Sequence, residues 1–315
     1  MRWAAGAAVA YQALAGPLSV DATVGDVLQH PAFAAFGHLL LPSDQDRRKP
    51  TLALRNLASL LPYHTNVNTA SVVSSLNRLI DDARDGRQIF YDIYTEAEKR
   101  ADSSRRETGL FFLRGKPGAP FAVIAPGGGF AYVGSLHEGF PYAVEINNRG
   151  YHAFVLKYRT GRGGAAATED LAAAISYIFR NADVLNVSKA NYSLWGSSAG
   201  ARMAAAIGSH GIARYGGSDL PKPTTVVLLY SAHSDVAAVE PPTFVVVGEH
   251  DRIAPPAIMK KRVAALRRQG TPVEFREYPG VGHGFGLGVG TRAEGWIAEA
   301  IAFWAKRWPL PTAGS

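Results

Sequence analysis

Short apolar runs recur along the chain from residue 89 onward, and their length and composition predict strands. Each run is rich in Val, Ile, Leu or Phe, and the predicted strands are Ile89–Tyr94, Leu110–Arg114, Phe121–Ala125, His152–Lys157, Tyr192–Trp195, Thr225–Tyr230, Thr243–Val247 and Val273–Tyr278. The last six are mostly unbroken apolar runs, which are typical of strands that are buried on both faces of a sheet.

Longer amphipathic or alanine-rich segments lie between most of these strands and predict helices. They cover Pro141–Asn148, Thr168–Asn181, Ala199–Ser209, Pro256–Gln269 and Arg292–Trp308. Alternation of strand and helix is typical of βαβ units, so we expect an α/β fold with a mainly parallel sheet. No helix is predicted between the first two strands, which we therefore expect to form an antiparallel hairpin at the sheet edge.

Residues 1–86 have a different pattern, in which prolines divide short apolar pieces. One helix is predicted at the end of this region, because Asn68 is a candidate N-cap, Gly86 follows the helix, and the apolar residues between Val72 and Ile80 share one face. We expect residues 1–86 to be a helical extension that packs on a main domain formed by residues 87–315.

The first 22 residues contain a candidate targeting segment. Arg2 precedes an apolar, alanine-rich stretch from Trp3 to Ala15, a pattern of either a secretory signal peptide or a short N-terminal helix. The signal is the favoured interpretation, and it predicts a secreted or periplasmic protein in preference to a cytoplasmic one.

Composition and charge narrow the class of protein. Hydrophobic residues make up 47% of the chain and charged residues 19%, which is enough apolar material for a large core and excludes wholesale disorder. The net charge of +7 is spread along the chain without an aromatic-interleaved basic stripe, so nucleic-acid binding is not expected. The chain has no cysteine, which excludes disulfides and a cysteine nucleophile. No apolar run approaches the ~18 residues that span a bilayer.

The string Gly196-Ser197-Ser198-Ala199-Gly200 follows a predicted strand and precedes a predicted helix. This is the context of the G-x-S-x-G nucleophile elbow, in which a strained turn presents a serine. The small residues on each side allow the strand and the helix to approach closely. A simple helix cap formed by Ser197 is the alternative interpretation. We expect Ser198 to be a nucleophile, with the backbone N–H of Ala199 facing the group that it attacks.

A glycine-rich loop, Pro126-Gly127-Gly128-Gly129-Phe130, follows the third predicted strand. Acyl transfer develops negative charge on a carbonyl oxygen, and backbone N–H groups that glycines allow to approach closely stabilise that charge. The loop lacks the G-x-G-x-x-G spacing and the Lys-Ser/Thr pair of phosphate-binding loops. It is therefore a candidate oxyanion loop, with a simple tight turn as the alternative.

A nucleophilic serine needs a base, and the base needs a carboxylate to orient it. His283 lies in a glycine-rich loop after the last predicted strand. Asp251 and Glu249 follow the preceding strand, and Asp251 is the preferred acid because it lies further into its loop. Serine, acid and histidine thus occur in the chain order typical of one hydrolase class, each at the carboxyl end of a strand.

With these motifs the chain resembles the α/β-hydrolases, in the esterase/lipase branch that carries an H-G-G-G oxyanion loop and includes carboxylesterases and acetylxylan-type esterases. The resemblance spans about residues 88–308 and rests on P-G-G-G-F, G-S-S-A-G, G-E-H-D and G-H-G-F. It implies a mostly parallel eight-stranded sheet flanked by helices. Pro126 stands where many relatives have histidine, so other contacts must orient the loop. The family's Y-R and E-D motifs also occur, and we interpret the pair Arg159 and Asp170 as structural.

The resemblance also implies roles for the site residues and makes residues 87–315 the catalytic domain. The implied oxyanion donors are the backbone groups of Gly128, Gly129 and Ala199. Ser198 would attack an ester carbonyl while His283 takes its proton and Asp251 stabilises the imidazolium, and water would then release the acid from an acyl-enzyme. This mechanism requires no metal and no organic cofactor.

Aromatic and histidine side chains near the motifs are candidates for the substrate pocket, with ordinary rim or core packing as the alternative: Phe130, Tyr132, His137, Tyr230 and His233. Residues 231–242, between the sixth and seventh strands, leave no room for the lid that many relatives insert there. The site is then either open or covered by the N-terminal extension. An open site favours short acyl groups, acetyl included, on small-molecule or carbohydrate-linked esters.

Two other functions use the same fold. A prolyl-oligopeptidase-like serine peptidase has the same triad but usually carries a β-propeller, for which residues 1–86 are too short and too helical. A catalytically inactive, hydrolase-fold binding module would typically lack a triad residue or the oxyanion glycines, all of which are present here. The sequence predicts no oligomeric state.

Overall fold

The computed structural model describes residues 16–307, and an eight-stranded sheet forms its centre. The strands are β1 (Phe90–Tyr91), β2 (Gly109–Leu113), β3 (Phe121–Ala125), β4 (His152–Lys157), β5 (Ser193–Ser197), β6 (Thr225–Leu229), β7 (Thr243–Gly248) and β8 (Val273–Tyr278). They lie in the order β1-β2-β4-β3-β5-β6-β7-β8, with β3 to β8 parallel and both β1–β2 and β2–β4 antiparallel. The predicted mostly parallel, eight-stranded sheet is confirmed. The predicted signal segment lies outside the described residues.

Helices cover both faces of the sheet. Within residues 16–307 the α-helices are α1 (Val24–Gln29), α2 (Gly37–Leu40), α3 (Thr69–Arg84), α4 (Glu96–Ala101), α5 (Phe140–Asn148), α6 (Gly163–Arg180), α7 (Ala182–Leu185), α8 (Ala199–His210), α9 (Pro256–Arg268) and α10 (Trp296–Ala305). Single 3-10 turns and one π-helical turn, Ser135–Gly139, complete the connections. Among the described helices, none has both the length and the apolar character that crossing a membrane requires.

The central strands divide the core into two layers because their side chains point alternately to opposite faces. In β3, Ala122 and Ile124 pack with α3, α5 and α10, whereas Phe121 and Val123 pack with α6, α8 and α9. Every residue of β3 is buried, which explains the unbroken apolar run in the sequence.

The connection between β1 and β2 differs from the predicted hairpin. The two strands are antiparallel at the sheet edge, as expected, but α4 and a 3-10 turn (Ser103–Glu107) separate them. All six α4 residues are charged or alanine, so the helix has no apolar stripe for a periodicity argument to detect. The sequence signal for α4 is a capping box at its N-terminus. The side chain of Thr95 accepts from the backbone N–H of Glu98, and the side chain of Glu98 accepts from the backbone N–H of Thr95.

The described part of the N-terminal region, residues 16–86, is helical and packs on the sheet layer that contains α5. Its longest helix, α3, is N-capped by Asn68, whose side-chain oxygen accepts from the backbone N–H of Ser71 at 2.8 Å. The buried face of α3 includes Val72, Leu76 and Leu79. The domain boundary near residue 86 stays a prediction, since the two parts share one continuous core.

Lys157, at the end of β4, attaches this N-terminal region to the sheet. Its side chain is 5% exposed, and its ammonium group donates to the backbone carbonyls of Leu41 at 2.6 Å and Pro42 at 3.0 Å. Burial lowers the pKa of Lys157 to about 8 because the charged form loses its hydration. The two carbonyl groups therefore stabilise the charged form of Lys157.

We expect Lys157→Met to destabilise the protein by about 2–4 kcal/mol, because the carbonyl oxygens of Leu41 and Pro42 both lose the charged donor Lys157 and Pro42 keeps, among the described residues, only the backbone N–H of Val133. Urea unfolding at pH 7 measures the change. Lys261→Met, at an exposed position on α9, is the matched control and should leave the unfolding free energy nearly unchanged. Equal stability of both variants would show that Lys157 does not anchor the extension.

Candidate active site

Ser198 occupies a strained turn between β5 and α8. Its backbone has φ 51° and ψ −114°, a conformation that residues other than glycine rarely adopt and that costs about 1–3 kcal/mol. The neighbouring glycines make the turn possible, because a Cβ on Gly196 would overlap the backbone of Gly200, and a Cβ on Gly200 would overlap the carbonyl oxygen of Ala125. The side chain of Ser198 is consequently presented at the carboxyl edge of the sheet.

His283 and Asp251 lie in a line with this serine. The Nε2 atom of His283 is 2.9 Å from Ser198 Oγ, and its Nδ1 atom is 2.7 Å from Asp251 Oδ2. The other carboxylate oxygen of Asp251 accepts from the backbone N–H groups of Ile253 at 2.9 Å and Ala254 at 2.7 Å. These donors fix the carboxylate in its loop, so that it can orient the imidazole toward the serine.

Glu249, the second candidate for the acid, lies elsewhere. Its side chain is exposed, and its Oε2 atom accepts from the backbone N–H of Gly280 at 2.9 Å. This bond joins the acid loop to the start of the loop that carries His283. Glu249 thus contacts the histidine loop without contacting the imidazole.

The glycine loop approaches the serine turn closely. Gly128, Gly129 and Phe130 have φ values of 131°, 63° and 61°. These values favour glycine, which is present at the first two of the three positions. A Cβ on Gly128 would overlap the carbonyl oxygen of Tyr132, and one on Gly127 would lie 3.0 Å from the Cβ of Ser198. The loop that carries Gly128 and Gly129 therefore meets the serine turn at Gly127, and Ala199 is the first residue of α8.

Glu138, in the π-helical turn, orients the loop that has proline in place of histidine. Its Oε2 atom accepts from the backbone N–H of Gly127 at 2.6 Å, while the hydroxyl of Tyr158 donates to the carbonyl oxygen of Pro126 at 2.8 Å. Glu138 is fully buried. Burial works to raise its pKa, but the adjacent His64 ring and its hydrogen bond outweigh this, and the pKa falls to about 2. Glu138 is therefore an ionised acceptor.

Sequence reasoning missed Glu138. Its segment, Ser135–Gly139, has no motif that distinguishes it, and a buried carboxylate is recognised only from its partners. The one available signal was indirect, because Pro126 cannot supply the contacts of the usual histidine and another group had to do so.

The predicted pocket residues divide into two groups. Phe130 and His233 line a cavity of about 410 Å³ between the starts of α6 and α8, together with Arg202. Tyr132, His137 and Tyr230 are buried. The hydroxyl of Tyr230 donates to Glu138 Oε1 at 2.6 Å, His137 Nε2 is 3.0 Å from the carbonyl oxygen of Gly284, and the hydroxyl oxygen of Tyr132 is 2.9 Å from His64 Nδ1. For Tyr132, His137 and Tyr230 the structure thus shows packing contacts, which is the alternative to a role in lining the pocket.

Arg159 and Asp170 form a buried pair behind the site. The guanidinium Nε of Arg159 donates to Asp170 Oδ1 at 2.9 Å, and its backbone N–H donates to Oδ2 at 2.7 Å. Tyr94 donates to the same carboxylate at 2.6 Å. The pair joins the end of β4 to α6 and does not contact Ser198, in agreement with a structural role.

The geometry defines a serine whose hydroxyl proton can pass to a histidine held by a carboxylate, beside a loop of backbone donors. A serine at the β5–α8 turn of such a sheet, with acid and histidine after later strands, is the arrangement of the α/β-hydrolase fold.

Comparison with known proteins agrees with this class. The BD-FAE family profile matches residues 114–218, and the profile of the prolyl oligopeptidase family matches residues 212–308. Each covers one part of the chain. The first match contains the candidate oxyanion loop and Ser198, and the second contains Asp251 and His283.

Individual relatives are distant. An acetylxylan esterase of Xylanibacter ruminicola is 23% identical over 230 residues, which are 64% of this chain and 48% of that protein, so the alignment spans about half of the relative's length. The solved structure of MGS-M1, an alpha/beta hydrolase enzyme from a Medee basin deep-sea metagenome library, is 24% identical with a TM-score of 0.56 and covers 64% of this chain and 92% of that one. The carboxylesterase Cest-2923 from Lactobacillus plantarum is 21% identical, with the same TM-score and the same shares. The predicted α/β-hydrolase fold and the resemblance to its esterase branch are confirmed.

We expect Asp251→Asn to slow the reaction of Ser198 with a fluorophosphonate by about a thousandfold or more, because the amide no longer holds the imidazole in the tautomer that accepts the serine proton. The labelling rate of the intact protein, followed by mass spectrometry, measures the effect. Glu249→Gln is the matched control in the same loop and should label within about threefold of the unmodified protein. A larger effect of Glu249→Gln would reassign the acid.

Proposed function

We propose that the protein is a serine carboxylic-ester hydrolase that acts on short-chain acyl esters, acetyl esters included, through a Ser198–His283–Asp251 triad and an acyl-enzyme intermediate. The observation that carries this proposal is the continuous line of contacts from Ser198 Oγ to His283, at 2.9 Å, and from His283 to Asp251, at 2.7 Å. A serine held in this way can act as a nucleophile at neutral pH.

In the first step, Ser198 Oγ forms a bond to the ester carbonyl carbon while His283 Nε2 takes the hydroxyl proton. Asp251 stabilises the resulting imidazolium through its contact with Nδ1. The carbonyl oxygen becomes an oxyanion, for which the backbone N–H groups of Gly128, Gly129 and Ala199 are the proposed donors. Their fixed positions stabilise the charge without reorganisation.

In the second step, His283 returns the proton to the leaving alcohol oxygen, the carbon–oxygen bond breaks, and the acyl group stays on Ser198. Water then adds to the acyl carbonyl while His283 takes a proton from it. Collapse of this intermediate releases the acid and restores the serine hydroxyl. The steps balance with water as the only co-reactant.

Three features support a short acyl group on a small-molecule or carbohydrate-linked ester. Residues 230–242, between β6 and β7, contain neither helix nor strand, so no apolar lid forms there to cover a long chain. The similarity to an acetylxylan esterase points in the same direction. Bulky rings also stand close to the oxyanion loop, where Tyr63 lies against Gly129.

A serine peptidase of the prolyl-oligopeptidase type is the second candidate. The match of residues 212–308 to that family favours it, and those residues include both the acid and the base. The esterase is preferred because residues 16–86 form helices rather than a propeller. The two triad residues in the matched segment, Asp251 and His283, would serve ester and peptide hydrolysis equally well.

We expect turnover of p-nitrophenyl esters to be highest between acetate and butyrate and to fall as the acyl chain lengthens, because an open site offers little apolar surface to a long chain. Ser198→Ala should lower kcat by about four orders of magnitude or more. Ser197→Ala is the matched control at the adjacent serine and should stay within about tenfold of the original activity. A maximum at decanoate or longer would contradict the short-acyl proposal and leave the hydrolase proposal intact.

We expect esters to react at least about a hundredfold faster than p-nitroanilides of the same acyl group, because the amide carbonyl is less reactive and its nitrogen must be protonated before it leaves. Proline-containing peptide anilides complete the substrate set. The comparison uses kcat/KM at one pH, with Ser198→Ala as the background. Faster cleavage of the peptide anilides would favour the peptidase.

A further inference from the structure

Residues Tyr63, His64 and Thr65 of the N-terminal region lie between the two loops that serve Ser198. We call these three residues the strap. One side of the strap contacts the oxyanion loop and its support, and the other side contacts the loop that carries His283. The strap follows a 3-10 helix, Leu54–Leu60, whose apolar side chains Leu54, Leu57 and Leu60 are buried.

His64 connects the strap to the support of the oxyanion loop. Its Nε2 atom is 3.0 Å from Glu138 Oε1, and its Nδ1 atom is 2.9 Å from the hydroxyl of Tyr132. The side chains of His64 and Glu138 are 2% and 0% exposed. The other oxygen of Glu138 accepts from the backbone N–H of Gly127, so Glu138 links His64 to the glycine loop.

Thr65 connects the strap to the histidine loop. Its hydroxyl donates to the backbone carbonyl of His283 at 2.7 Å, and its backbone N–H donates to the carbonyl of Gly284 at 3.0 Å. Gly284 has φ 66°, and a Cβ at this position would lie 2.6 Å from the carbonyl oxygen of Tyr63. The backbone of the proposed base is therefore held from the N-terminal region.

Tyr63 lies at the surface of the site. Its ring stacks on Tyr132 with a centroid distance of 5.5 Å and an interplanar angle of 23°. The same ring lies 3.0 Å from the position of a Cβ on Gly129, and the side chain remains 43% exposed. These contacts place the Tyr63 ring beside Gly129 of the oxyanion loop and against Tyr132, which follows that loop.

We propose that the strap sets the distance between the oxyanion loop and the catalytic histidine, with His64 and Thr65 as positioning residues for ester hydrolysis. This inference rests on the proposed function. The two loops follow different strands, β3 and β8, and both are rich in glycine, so neither is rigid alone. A misplacement of about 1 Å at a reacting centre can cost about a hundredfold in rate.

The chemistry of the strap favours positioning over simple packing. A buried charged group that interacts with a histidine gains little stability over apolar side chains of similar volume, because both groups lose their hydration. A polar network that is fully bonded fixes directions, whereas an apolar contact does not. Glu138 accepts from Gly127 through one oxygen and from Tyr230 and His64 through the other, so the carboxylate that holds the loop is itself held by two further donors.

Thr65→Val tests the strap at the base, because it removes one hydroxyl and keeps the shape of the side chain. We expect kcat for p-nitrophenyl acetate to fall about tenfold with KM within about twofold of the original. Thr65→Ser, which retains the hydroxyl, should restore most of kcat. Ser59→Ala, in the exposed part of the same region, is the control and should keep the original kcat.

His64→Leu and His64→Gln test the strap at the oxyanion loop without depending on turnover. Gln can still donate to Glu138, whereas Leu cannot. We expect hydrogen–deuterium exchange of the intact protein to increase at residues 126–134 in His64→Leu, and to remain near the original in His64→Gln. Global unfolding would raise exchange in β3 to β7 as well, which separates a local from a general effect.

The outcomes distinguish the two proposals. If the original protein hydrolyses esters but Thr65→Val retains its kcat and His64→Leu leaves exchange at residues 126–134 unchanged, the strap proposal is overturned and the esterase proposal stands. If the original protein hydrolyses no ester while exchange still rises in His64→Leu, the proposed function fails and the mechanical coupling stands. Equal losses of kcat in Thr65→Val and Thr65→Ser would also contradict the proposal that the Thr65 hydroxyl positions His283.

Discussion

The backbone at Ser198 is held in a conformation that L-residues avoid, and the remainder of the site is arranged around that constraint. The turn persists because Gly196 and Gly200 let β5 and α8 meet, and because the last residues of β3 pack directly against them. The strain is compensated by the burial of the surrounding strands. A side chain fixed in this way needs no reorganisation before it reacts, which is the condition for efficient nucleophilic catalysis.

The buried carboxylate of Glu138 provides a second fixed point. It lies where backbone from β3, a tyrosine after β6 and a histidine from the N-terminal region meet. Its ionised form explains why three donors converge on it, since a charged acceptor forms stronger hydrogen bonds than a neutral one. The extension is therefore connected to the chemistry of the site as well as to the core.

Elements with a strong local signal were predictable from the sequence. The bounds of β3, β4 and β8 follow directly from their apolar or alternating runs, and the serine, acid and histidine follow from motifs at strand ends. The helix α4 was missed because it consists of charged residues and alanine and has no apolar stripe. Glu138 and His64 were missed because their roles depend on partners 74 residues apart in the chain, which no local pattern reports.

The bond between Thr65 and His283 joins the N-terminal region to the histidine loop across 218 positions of the chain. Contacts of such high sequence separation form late, because the intervening chain must be ordered before its loop can close. During synthesis, the serine turn leaves the ribosome before the segment that carries the imidazole exists. An incomplete polypeptide that ends before residue 283 therefore presents Ser198 without its imidazole partner.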